Sequence, residues 1–276
     1  MIQLLKRTMR LFRTISEYSI RHIPICLICI TFVSLGLKLL AYKIDPSISR
    51  DAALYLHMAK IWNETGQYAG LIKEYHGGTW IPPLLVFLIK VFMQSGLSAE
   101  TAGLAVNIGL GSLIPLIGYG IVCESIGSRK CALITALLLA VHPGITDLSV
   151  EIQRDVPYLF FSGCVAWLAL AGLRRKKCSL WCGAGIFLSL SLLTRYETLE
   201  LFPMMIMILL IFSVAHFLSW KQTLLYGTSL TACFVAGFLI LSFLMGTDTT
   251  IFLHRIKGKA ERVVHSASQS DPRGRK

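Results

Sequence analysis

Residues 101–148 read TAGLAVNIGLGSLIPLIGYGIVCESIGSRKCALITALLLAVHPGITDL. Two apolar runs, Thr101 to Cys123 and Cys131 to about Leu148, flank a short polar link carrying Arg129 and Lys130. At about 1.5 Å per helical residue, each run matches a hydrocarbon core about 30 Å thick. Basic links stay on the cytoplasmic side of a bilayer. The hairpin therefore has a direction: inward through 101–123, outward through 131–148.

The rest of the chain extends the pattern. A span from about Pro24 to Tyr42 follows a basic segment holding Lys6, Arg7, Arg10, Arg13 and Arg21, so the N-terminus is expected inside as an uncleaved anchor. Pro157 to Leu173 runs inward to Arg174, Arg175, Lys176 and Lys177. Ser179 to about Leu193 returns outward, Leu199 to Phe217 runs inward, and about Leu224 to Met245 runs outward again. The segment IPPLLVFLIKVFM (81–93) is short and carries Lys90. Counted as a span it would put the basic links on opposite sides, so it reads as a juxtamembrane helix.

The fold class expected is all-α: a polytopic transmembrane helix bundle of about seven spans with juxtamembrane helices in the first outer loop. Three regions follow: residues 1–23, a cytoplasmic basic N-terminus; 24–245, the transmembrane module, with outer loops 43–100 and 142–156; and 246–276, a basic tail that reads either as a natural end or as a truncation.

Bulk composition agrees. Of 276 residues 54% are hydrophobic and only 15% charged, and the mean hydropathy is +0.64, too apolar for an ordinary soluble domain. The net charge of +12 would suggest nucleic acid in a soluble protein. Here the bases sit in links between apolar runs, where they set topology, and no nucleic-acid partner is expected. Seven of the eight cysteines lie within or at the ends of apolar runs, which reads as packing rather than a zinc site.

The acids segregate the other way. Asp45, Asp51, Glu64, Glu74 and Glu100 fall in or beside the first outer loop, and Asp147, Glu151 and Asp155 in the second. Topology demands no carboxylates outside, so the clustering needs another cause. In SISRDAALYLHMAKIW (47–62), Leu54, Met58, Ile61 and Trp62 recur at helical spacing, and Asp51 and Tyr55 share a face. Asp51 there serves either the positive end of its helix or a reaction.

In HPGITDLSVEIQRDVPYLFF (142–161), Asp147, Glu151 and Asp155 recur at four-residue intervals with Arg154 beside them. If helical, this loop offers one acidic stripe. An acid just before Pro157 is also an ordinary helix start. In LLTRYETLELFP (192–203), Arg195 either pairs with Glu197 at the interface or offers its fork to a phosphate. His142 and His76 precede turns and read as hydrogen-bonding support.

The order of these motifs resembles the GT-C glycosyltransferases, in the bacterial branch related to protein mannosyltransferases and lipid A aminoarabinose transferases. The order is Asp51 with Tyr55, then TGQY (65–68), the Pro-Pro segment at 82–83, a basic inner link, HPG (142–144), an acid before Pro157, and LTR (193–195). The likeness covers about Pro24 to Phe252. It implies Asp51 and Asp155 as the catalytic carboxylates and Arg195, Arg154 and Tyr55 as the donor-phosphate group, with Glu151, Glu197, His76 and His142 in support. It further implies an inverting transfer of a sugar from a polyprenyl-phosphate donor, within the membrane lipid, to a glycan, lipid or protein acceptor. The site would lie on the outer face of a bacterial inner membrane, in the periplasm.

A divalent cation held by Asp51 and Asp155 is left open beside arginines alone. Departures from the family pattern are Ala52, where many relatives carry a second acid, and Thr79 and Trp80, where several carry Lys. Relatives also usually continue with more helices. Rival readings are a catalytically inactive truncated paralogue that binds lipid phosphate, and a transporter. The transporter is opposed by spans nearly free of charge apart from Lys38.

Overall fold

The structure is a computed structural model that describes residues 22–46, 48–68 and 81–247. His76, the basic N-terminal segment before residue 22 and the tail beyond 247 lie outside the described residues. Those described form ten helices with no strand among them. The helices are α1 (Ile23–Ile44), α2 (Arg50–Thr65), α3 (Leu84–Met93), α4 (Ala99–Ser125), α5 (Arg129–Ala140), α6 (Pro143–Val150), α7 (Asp155–Arg175), α8 (Cys178–Leu192), α9 (Thr198–Val214) and α10 (Trp220–Leu244). The chain is an all-α, multi-pass membrane protein.

Four helices, α1, α4, α7 and α10, are long and apolar enough to cross a bilayer. A fifth crossing is counted if α5 and α6, which meet at a 50° bend, form one broken span. The expectation of seven crossings is not met by length. At about 1.5 Å per residue, α8 with 15 residues and α9 with 17 fall short of a full hydrocarbon thickness. The run from Cys131 to Leu148 is also broken rather than continuous. His142 caps the second piece, its Nδ1 accepting from the Ile145 N–H at 3.3 Å, and Pro143 starts it. An X-Pro junction disfavours helical backbone at His142.

α4 is central, packed against α1, α3, α5, α6 and α7, while α8 packs against α7 and α10. Small residues permit these approaches, as expected where lipid supplies no hydrophobic drive between helices. A Cβ at Gly120 would run into the Trp167 indole, one at Gly103 would stand 2.9 Å from Ile152, and one at Gly185 would meet the α10 backbone at Leu230. α1 is inverted relative to a soluble helix. Its buried residues are Ser34 and Lys38, and its large apolar side chains, Phe32 and Leu40 among them, face outward. Lys38 donates to Ser34 Oγ at 2.7 Å. A polar interior beneath an apolar surface is what a bilayer solvent selects.

Long-range contacts fix which helix ends share a face. Tyr42, at the end of α1, donates to Glu100 at the start of α4, 3.0 Å away. Asp155, at the start of α7, pairs with Arg195, which follows α8. At the other end, Glu124 of α4 pairs with Arg174 and Arg175 of α7. We call the Asp155 end outer and the Arg174 end inner. Acid at the start of α7 and bases at its finish also complement its dipole.

Candidate functional site at the outer end

Three segments, distant in sequence, meet at the outer end: the start of α2, the link between α6 and α7, and the turn between α8 and α9. α2 begins where Ser49 accepts from the Ala52 N–H at 3.2 Å, which puts Asp51 in the first helical turn. The buried stripe of α2 is Ala52, Tyr55, Leu56, Met58, Ala59 and Trp62, while Leu54 and Ile61 are only half-buried. Asp51 is exposed beside this stripe.

α2 is held from below by α3. Lys90 lies over the Trp62 ring at 5.0 Å, and Trp62 also packs on Tyr68 at 4.6 Å and Phe87 at 5.6 Å. Tyr68 donates to the Ile81 carbonyl at 2.7 Å. The Leu84 N–H in turn donates to the Leu193 carbonyl at 2.9 Å, tying this juxtamembrane layer to the Leu-Thr-Arg turn.

The second segment does not form the single acidic stripe that four-residue spacing suggested. α6 ends at Val150, Glu151 is extended, and a new helix begins at Asp155. Asp147 is therefore exposed on α6, apart from Asp155. Glu151 is occupied by Gln153, which donates to its carboxylate. Asn107 of α4 holds the link in place: its Nδ2 donates to the Glu151 carbonyl at 2.6 Å and the Gln153 carbonyl at 2.9 Å. Asn107 is fully buried. A polar side chain inside an apolar span was the available clue to it, and sequence reading passed over it. Asn107→Leu would strand both carbonyls at about 1–3 kcal/mol, so thermal unfolding in detergent should show a lowered midpoint. An unchanged midpoint would contradict the bracing role.

The third segment brings Arg195. Its guanidinium pairs with Asp155, and its Nε lies 3.3 Å from Glu197 Oε2. It also lies over the Tyr158 ring at 5.6 Å. The Arg195, Asp155 and Glu197 side chains are about one-third exposed. Burial alone would lower the Arg195 pKa, but Glu197 and Asp155 outweigh it and raise it. Burial alone would raise the Glu197 carboxyl. Its backbone hydrogen bond and the charges of Arg195 and Arg154 win and lower it.

Arg154 joins the second and third segments to the first. Its guanidinium lies 5.5 Å from the centre of the Tyr55 ring, and its charge is felt at both Glu197 and Tyr68. The Tyr55 phenol is raised mainly by burial. Arg154 opposes that shift, while Asp51 and Asp155 add to it. Both candidate carboxylates and Arg154 thus lie close enough to act on one buried phenol.

His142 is exposed, and its Nδ1 caps α6. His76 is outside the described residues. Among the described residues, no group of three or more His, Cys, Asp or Glu side chains is gathered for a metal ion.

A family model described as dolichyl-phosphate-mannose-protein mannosyltransferase matches residues 81–243, more than half of the chain. No curated protein and no solved structure matches.

Proposed function

The chain belongs to the dolichyl-phosphate-mannose-protein mannosyltransferase family and is a membrane glycosyltransferase of GT-C type, and from that premise we propose that it transfers a sugar from a polyprenyl-phosphate donor, with inversion, at the outer end of the bundle. The carrying observation is the meeting of Arg195, Asp155 and Arg154 with the Asp51–Tyr55 turn of α2, from three separate segments. A lipid-linked donor keeps its chain in the bilayer and presents its phosphate at the depth of these helix ends.

In this reading the acceptor hydroxyl or amine attacks the anomeric carbon from the face opposite the phosphate. The new bond to the acceptor forms as the anomeric carbon–oxygen bond to phosphate breaks. Asp51 takes the acceptor's proton. The electron pair leaves with the phosphate, whose charge Arg195 and Arg154 neutralise. Asp155 and Glu197 hold Arg195 until a phosphate competes for its fork. Tyr55 packs under Arg154 and aims it. The acceptor is a glycan, lipid or protein group, and the face is periplasmic if the membrane is a bacterial inner membrane.

A divalent cation shared by Asp51 and Asp155 fits these residues poorly, because Arg195 already engages the Asp155 carboxylate. We therefore assign the phosphate charge to the arginines. In proteoliposomes given a polyprenyl-phosphate hexose, sugar release or transfer should persist in excess EDTA. Loss of activity in EDTA with recovery on added magnesium would overturn that assignment. Donor binding without any turnover would favour a lipid-phosphate-binding paralogue over an enzyme.

A further inference from the structure

The inner end of the bundle holds a second charged cavity, of about 410 Å³. Its walls are the last turns of α4 (Tyr119, Cys123, Glu124), the first residue of α5 (Arg129) and the last turns of α7 (Trp167, Arg174, Arg175). Three arginines and one carboxylate line it. Glu124 is nearly buried, its side chain 7% exposed, and both its oxygens are taken, one by Arg175 and the other by Arg174 at 3.7 Å. Arg174 also donates to the Cys123 carbonyl at 2.6 Å. Arg129 is exposed and has no carboxylate partner among the described residues.

Orientation in the membrane accounts for bases at this end. It does not account for their lining a concavity, nor for a buried acid that fixes two of them while leaving an excess of positive charge. With its 21 residues, α7 spans about 31 Å, close to the thickness of the hydrocarbon core. A cavity at its far end therefore lies at headgroup level of the leaflet opposite the outer site. Trp167 and Tyr119 stand in its wall, the residue types that favour the interface.

We propose that this inner cavity binds the phosphate of an anionic phospholipid headgroup, held by Arg129, Arg174 and Arg175. Guanidinium forks suit phosphate oxygens. Basic pockets between membrane helices on the inner side are a general means of holding such headgroups. Glu124 orders Arg174 and Arg175 beforehand, so binding has fewer side chains to immobilise. This site is independent of the donor reading, since no residue is shared with the outer cluster.

The test uses the full chain in phosphatidylcholine nanodiscs, titrated with phosphatidylglycerol and, separately, with inorganic phosphate, with retained lipid read by native mass spectrometry. The expected result is preferential retention of phosphatidylglycerol. That retention should weaken about 10-fold in the Arg129→Gln, Arg175→Gln double variant. It should be unchanged in Lys221→Gln, an exposed base of α10 that does not line the cavity. Arg129→Gln alone removes an exposed, unpaired side chain and should weaken retention without moving the unfolding midpoint, which separates loss of binding from loss of fold. Equal retention of both lipids, or phosphatidylglycerol retention untouched in the double variant, would overturn the proposal. Inorganic phosphate binding without lipid preference would overturn the lipid assignment in favour of a free anion.

Discussion

Asp51→Asn should lower the transfer rate by about 10²–10⁴-fold, the usual worth of a positioned general base, while donor binding stays close to that of the unaltered protein. Asp51 is exposed and makes no ion pair among the described residues, so its replacement leaves no buried group without a partner. The cap of α2 belongs to Ser49, and the helix loses only the charge–dipole contribution of a first-turn acid, about 0.3–1 kcal/mol. The fold therefore survives, and a fall in rate reports chemistry. Asp45→Asn, an exposed acid just before the same turn, is the matched control and should leave the rate within a factor of two or so. Near-normal transfer by Asp51→Asn in reconstituted vesicles would remove Asp51 as the base.

Arg195→Gln should reduce kcat/KM by about 10²–10³-fold, comparable to removing one strong donor to a charge that develops in the transition state. A purely structural explanation is available, because the change leaves Asp155 and Glu197 without the guanidinium between them. The double variant Arg195→Gln, Asp155→Asn separates the two effects. It relieves the carboxylate repulsion, so stability should recover, yet it supplies nothing to the leaving phosphate, so activity should not. Arg195→Lys keeps the charge but loses the planar fork, and its activity should lie between that of Arg195→Gln and that of the unaltered protein. Recovery of transfer in the double variant would mean that Arg195 serves only to balance its neighbours.

Much of the frame was legible because membrane patterning is a strong signal. Apolar runs gave the helices. The basic links at Arg129–Lys130 and Arg174–Lys177 were expected on one side, and the cavity that Arg129, Arg174 and Arg175 share at one end of the bundle agrees. Lys90 in a short apolar run pointed to a helix too short to cross, and α3 has ten residues. Crossing number was less legible, since hydropathy rewards α8 and α9 for composition while their lengths fall short. The bend at His142 was written in the following Pro143, but its consequence, the separation of Asp147 from Asp155, needed the chain in three dimensions. Period-four spacing suggested a continuous stripe. The extended backbone at Glu151 breaks it, and Asn107, 44 residues earlier in the chain, stabilises that break. The pairing of Asp155 with Arg195 spans 40 residues and has no local signature. Arg154 read as a neighbour of an acid, and its contact with Tyr55 of α2 has no local signature in the sequence.

The central claim is that the start of α2, the Arg154–Asp155 junction and the Arg195 turn form one lipid-phosphate site. A photoreactive polyprenyl-phosphate analogue, with its reactive group next to the phosphate, tests this in proteoliposomes of the full chain, with adducts mapped by peptide mass spectrometry. The account predicts adducts within residues 50–62, 151–158 and 193–200, all lost together in Arg195→Gln and displaced by unlabelled polyprenyl phosphate. Adducts confined to the inner links, or labelling of one segment that Arg195→Gln leaves intact, would contradict it.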